Sequence, residues 1–280
     1  MTIAEVVQRV SDSSVLSDFM VASMEMHMIG AMYAPTDRLT LMTMVPLRNY
    51  WMDHVNRMGN RFRTESRGVG DTRFGALYRL FEWERHSVHM NLGMRFPTGS
   101  IDQTDTTPTG QGTVLPYPMQ LGSGTFDLIP GMTYLGQSED WSWGGQGIVT
   151  SHLGRNNQDY RLGDRLDLTG WLARKWTKGL STSLRLTGSL WDNVQGSDSR
   201  QNPGMVPTAD SRLRSGDRID LSYGLNLMLP DGGLKGLEGR TPTGYRTVYA
   251  SVPASRWTPV GSRLVSHGGV AVAWFLRIRP

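Results

Sequence analysis

The chain has 280 residues, with 29 Lys plus Arg against 25 Asp plus Glu; this mild, dispersed excess of +4, with no basic cluster, leaves no footprint for nucleic acid. There is no cysteine, which excludes disulfides, thiolate metal sites and cysteine nucleophiles, and no apolar run approaches the about 18 residues of a membrane-spanning helix. Glycine at 33 residues, tryptophan at 9 and an excess of arginine over lysine suit bent strands with aromatic ends and a charged lining.

Residues 1–21 lack a basic start, apolar run and small-residue cleavage site, so they read as a loop rather than a secretory signal. From Ala22 to Leu47 two arms flank the polar turn Pro35-Thr36-Asp37. In the second arm Leu39, Leu41, Thr43, Val45 and Leu47 alternate with Thr40, Met42, Met44 and Pro46. Period-two alternation on both sides of a turn predicts a β-hairpin, with Pro35 starting the turn and Asp37 bonding its own backbone. A long polar loop is expected from Arg48 to Gly68.

Two strands follow, Gly70 to Phe81 and Val88 to Phe96, joined by a short turn at Glu84 to His86. A second long loop, Pro97 to Leu121, is rich in Thr, Gly, Pro and Gln. Alternation resumes at Thr125 to Tyr134 and, after a turn at Gln137 to Asp140, at Trp141 to Thr150. A loop at Gly154 to Gly163 precedes strands at Leu166 to Ala173 and Leu180 to Leu190, joined through Thr177-Lys178-Gly179. The loop Val194 to Gly216 leads to a strand from Ile219 to Leu229 and a turn at Pro230 to Gly233.

These are nine strands of about ten residues, the length that crosses a bilayer at a tilt. Short and long connections alternate, as they do in a transmembrane barrel with tight periplasmic turns and long outer loops. A soluble β-sandwich binding module, the competing architecture, has no reason to keep that parity. The fold expected is therefore all-β, an antiparallel transmembrane β-barrel occupying residues 22–235. Residues 236–280 form an atypical tail in which Arg246 to Val252 and Gly268 to Ile278 are weak strands. Because the first clear strand runs into a short turn, an ascending strand is expected before it and none is visible. Truncation, with a shifted reading frame at the far end, would account for both ends, and resequencing the locus tests it.

The segments MEMHMIGAMYAPTDRLTLMTMVPL, MDHVNRMG and FRTESRGVGDTRFGALYRLF resemble a family of Gram-negative outer-membrane transporters grouped with the phenol meta-pathway channels. The resemblance spans Val15 to Lys235. It implies an outer-membrane location, a barrel of about twelve strands and, for the Met-rich branch, a link with copper and other metals. It leaves the substrate and the oligomeric state open.

On the face assigned inward lie Arg73, Arg79, His89, Arg95, Asp127, Asp167, Arg185 and Asp220. They are candidates for a lumen lining, or for charge pairs across a filled lumen. Thioethers and imidazoles suit soft Cu(I), so His27, Met42, Met44, Met52, His54 and Met58 are the candidate metal ligands. In that arrangement Met24, Met26, Met28 and Met32 face lipid while Glu25 and His27 face inward, and methionine as apolar filler is the plainer explanation. No cofactor is called for unless copper binds. His89 has no evident nucleophile, His152 at a strand end is expected to meet water, and no GxSxG, HExxH or Walker motif occurs. An outer-membrane enzyme is thus the least supported reading. A copper-associated binding protein comes second to a channel or transporter for small solutes. Trp83, Trp141, Trp143 and Trp176 near the short turns read as a periplasmic aromatic girdle.

Overall fold

The computed structural model describes the backbone of residues 19–55, 61–108, 110–201, 207–228, 234–241, 246–251 and 270–278, and the side chains of residues 24–54, 61–108, 110–201 and 208–227. Strands β1 (Phe19–Tyr33) and β2 (Leu39–Val55) form the first hairpin, with Met32 opposite Met42 and Tyr33 opposite Leu41. Its turn is held by Thr36, whose hydroxyl accepts from the backbone N–H of Arg38 and of Leu39. Thr36 thus performs the backbone capping expected of Asp37.

Strands β3 (Arg61–Val69) and β4 (Thr72–Trp83) run in line. The near half of β2 pairs with β4, and the far half, from Leu47 to Val55, pairs with β3. The polar loop expected from Arg48 to Gly68 is therefore largely a strand extension. Its polarity has a physical cause, for the outer face changes from Leu41, Leu47 and Val69 to Asp53, Arg63, Glu65 and Arg67. The hairpin has left the apolar belt and stands in water. Strand β5 (His86–Phe96) follows a two-residue turn in which Glu84 takes a left-handed φ of 46°. The connection after β5 carries a small separate hairpin, β6 (Thr104–Thr107) with β7 (Gly110–Val114).

The meander continues through β8 (Phe126–Gln137) and β9 (Trp141–Leu153). The short β10 (Tyr160–Arg161) lies in the next loop, before β11 (Arg165–Lys175) and β12 (Leu180–Trp191). The short β13 (Gln195–Gly196) pairs back with β10. Strand β14 (Gly216–Met228) is followed by β15 (Leu234–Thr241), β16 (Arg246–Ser251) and β17 (Val270–Ile278). Among its described residues the tail thus holds β15 as well as the two strands legible in the sequence. The expected turn at Pro230 to Gly233 lies outside the described residues.

In the large sheet the spatial order is β16-β15-β14-β12-β11-β9-β8-β5-β4-β2-β1-β17. Every neighbouring pair is antiparallel except β1 with β17, which is parallel from Glu25 opposite Val270 to Tyr33 opposite Ile278. The two ends of this path, β16 and β17, approach to within 8 Å, Cα to Cα, so the sheet curls round on itself. From β1 to β16 the path counts eleven antiparallel strands, so its first and last members point the same way. The place beside β1 assigned to an ascending strand is filled by β17, which runs the other way.

The faces are set by register. Large apolar side chains stand exposed on the convex side, among them Ile29, Phe74, Leu92, Met132, Leu168, Leu186 and Ile219. Asp127 and Asp220 on the concave side are fully enclosed. This inversion of the ordinary soluble pattern is what a lipid-facing exterior requires. At the short-turn end Trp83, Trp141 and Trp176 are exposed, and the Arg174 guanidinium lies over the rings of Trp141 and Trp176 at 5.1 and 4.1 Å. Trp143 on the same face covers Gly136, where a Cβ would come within 2.5 Å of the indole.

Candidate functional site

The concave face is a polar wall built one cross-strand pair at a time. At one level Met44 faces Arg73, Arg73 faces Arg95, Arg95 faces Asp127 and Asp127 faces His152. Further round, Thr187 faces Asp220 while Arg185 faces Trp171 and Ser222. All eight lumen-lining candidates lie on this face.

The charges of Arg79, Arg95, Asp127, Asp167 and Asp220 are met by neighbours along the wall. Arg95 Nη1 lies 3.0 Å from Asp127 Oδ2 on the adjacent strand. Arg165 donates through Nε and Nη2 to Asp167, which also accepts from Ser189 Oγ at 2.6 Å. Arg218 Nε donates to Asp220 at 2.8 Å. Near the short turns Arg79 binds the Glu82 carboxylate and the Asp37 carbonyl, and His89 Nε2 lies 3.1 Å from Ser87 Oγ. These pairs run along the wall, and none of them crosses the lumen. Strands place residues two apart on one face, so the nearest counter-ion sits on the same strand or the next one.

The long connection after β5 turns inward and seals the wall at the long-loop end. Leu115 and Met119 pack on Met52, with Tyr50 beside them, and Tyr117 packs on Tyr160 and Val194. Buried Asp71, in the break between β3 and β4, anchors it. Its carboxylate accepts from Gly99 N, Ser123 N and Ser123 Oγ at 3.0, 2.8 and 3.1 Å. Arg48 Nη1 donates to the Leu121 carbonyl and Ser66 Oγ to that of Met119. The loops lock to one another as well: Asn156 Nδ2 donates to Ser123 O, Asp198 N to the Tyr117 hydroxyl, and Arg200 bridges Asp198 and Asp102. Burial opposes ionisation of Asp198, but the hydrogen bonds and charge of Arg200 more than offset it and hold the carboxyl below its usual range. Burial pushes the Tyr117 hydroxyl up.

Two further expectations are overturned. His27 is opposite Leu47 on the convex face, half exposed and 3.2 Å from Glu25. Met24, Met26, Met28 and Met32 are the inward residues of β1, in register with the face that carries Met42. The faces were reversed because β1 sets Glu25 and His27 on the outward face and a row of methionines on the inward one, so polarity points to the wrong side. The candidate metal ligands do not converge on one place. Met42 and Met44 share the concave face, Met52 is buried under Leu115 and Met119, and His54 stacks on Phe62 and bonds Thr64. Met58 lies outside the described residues. Among the described residues no cluster of three or more His, Cys, Asp or Glu could hold a metal ion.

His152 does not meet water. It is 4 % exposed, with its ring nitrogens 3.8 Å from Asp127 and from Asp164. Sequence reasoning also passed over Asp71, Ser123 and Thr125. Within GVGDTRFG the Asp71 position was the one available signal, a lone carboxylate flanked by glycine and breaking the alternation.

Residues 27–228 match the profile of a protein family described as "Putative MetA-pathway of phenol degradation". Among solved structures the chain is similar to an outer membrane channel from Pseudomonas putida F1. The identity is 17 %, the TM-score 0.51, and the match covers 75 % of this chain and 72 % of that one. No curated protein matches the chain.

Proposed function

This chain belongs to the phenol-degradation MetA-pathway family, and from that premise we propose that it is an outer-membrane β-barrel channel for small solutes. The observation that carries the reading is the curled antiparallel sheet with its exposed apolar exterior and its hydrogen-bonded, charged interior. Such a wall meets lipid outside and water inside. A passage rather than a catalyst is the role it supports. Purified protein refolded into planar bilayers should give discrete conductance steps. A correctly folded barrel that carries no current would overturn the proposal.

A second reading is favoured by one observation. Met24, Met26, Met28 and Met32 share the concave face with Met42 and Met44, and Met32 and Met42 are direct cross-strand partners. Thioethers in a row suit transient contacts with a soft monovalent ion. Titration of Cu(I) into refolded protein should then give binding that is weakened in Met32→Leu/Met42→Leu. No binding, or binding unchanged in the double variant, would remove this reading.

A further inference from the structure

We propose that Arg48, Arg73 and Arg95 form an anion-binding station in the lumen, and that the solutes passed are small organic monoanions whose carboxylate docks there. The inference rests on the channel reading and narrows it to a solute class.

The three arginines come from the adjacent strands β2, β4 and β5. Arg73 and Arg95 are direct cross-strand partners. Like charges directly opposed destabilise a ladder unless an anion lies between or beside them. Arg48 reaches over Gly70, where a Cβ would come within 2.9 Å of its Nε, toward the inward-turned loop. The acidic neighbours of Arg73 are Asp71 and Asp127, and both are already engaged. Asp71 accepts three hydrogen bonds from the loop. Asp127 accepts from Thr125 Oγ1 at 2.8 Å and pairs with Arg95. What remains is donor capacity. The Nε atoms of Arg48 and Arg95 are buried without a hydrogen-bond partner, and the side chain of Arg73 makes no hydrogen bond or ion pair among the described residues.

Three guanidinium groups against two carboxylates leave one positive charge in excess, the complement of a monoanion. A guanidinium presents paired donors that fit a planar carboxylate better than a spherical ion. The station lies on the concave wall beside the loop that is anchored on Asp71 and held by Arg48, on the face that a solute crossing the barrel would follow.

The test uses the full chain in planar bilayers under a KCl gradient, with potassium benzoate then added as the probe. The parent should show a reversal potential of anion-selective sign, and benzoate should reduce the chloride current. Arg73→Gln should shift the reversal potential toward cation selectivity and abolish the benzoate effect. Arg73→Lys keeps the charge but not the fork. It should keep the sign of the selectivity and weaken the benzoate block, and it serves as the reporter should Arg73→Gln not fold. Cation selectivity in the parent, or selectivity and block unmoved in the variants, would overturn the station while leaving the channel reading intact. Absence of conductance in a folded parent would instead overturn the channel reading.

Discussion

Asp71 shows how one side chain can organise a long loop. It is 2 % exposed and its carboxylate receives three donors from Gly99 and Ser123. Removing the acceptor strands those donors in a dry site, at about 1–3 kcal/mol for an unsatisfied buried group. Asp71→Ala should therefore loosen the connection between β5 and β8 before it unfolds the sheet. Limited proteolysis of refolded protein should show faster cleavage between residues 97 and 125, with the strands still protected. A digestion pattern like the parent's would mean that the packing of Leu115 and Met119 alone holds the loop.

At the level of the strand, the two faces make opposite demands. Leu92 and Leu186 stand exposed at the middle of β5 and β12. An arginine at either, facing lipid near the midplane, should cost about 2–4 kcal/mol in bilayer refolding. Asn91, one residue from Leu92, points inward and donates to Thr133 Oγ1. Asn91→Ser should cost less than half as much, and equal costs at positions 91 and 92 would contradict the face assignment. A third test concerns packing between strands. A Cβ on Gly144 would come within 2.3 Å of the Trp171 ring and 2.5 Å of the Tyr134 carbonyl. Since one contact is to backbone, Gly144→Ala cannot be relieved by a rotamer change alone and should cost about 1–3 kcal/mol. Urea titration of refolded protein measures it.

For the whole molecule, the outer loops behave as one tier tied together by ion pairs. The Asp198 carboxyl is held below its ordinary value of 3.8 in the folded state, despite its burial, by Arg200. A depressed folded value stabilises the fold above the unfolded value and loses that contribution as pH falls through the folded one. Loop protection against protease should thus be constant from pH 7 to about 5 and decline below about 4. In Arg200→Gln the decline should begin at higher pH, and a parent profile that is flat down to pH 3 would count against the bridge. Intact cells offer a topological check as well. The exposed tip around Gln111 should be cut by external protease, whereas the turns at Arg85 and Lys178 should survive.

Period-two alternation is a local property, so the sequence alone determined the β class, the hairpin at Pro35 and the outward ranks of β5, β11 and β12. The spacing of short turns and long loops likewise carried the barrel topology, and the family resemblance is shown by the match over residues 27–228. The faces of β1 needed its partner, because Met28 and Ile29 are equally apolar and only the register with Pro46 and Val45 tells inside from outside. The far half of β2 was hidden because its side chains turn polar where the strand leaves the lipid. The burial of Leu115, Met119 and Asp71 had no periodic signature, since an irregular loop is placed by whatever concave wall it can fill. The arginine–carboxylate pairing, too, was decided by the tertiary structure, because charge partners are chosen by distance in the sheet and not by order along the chain.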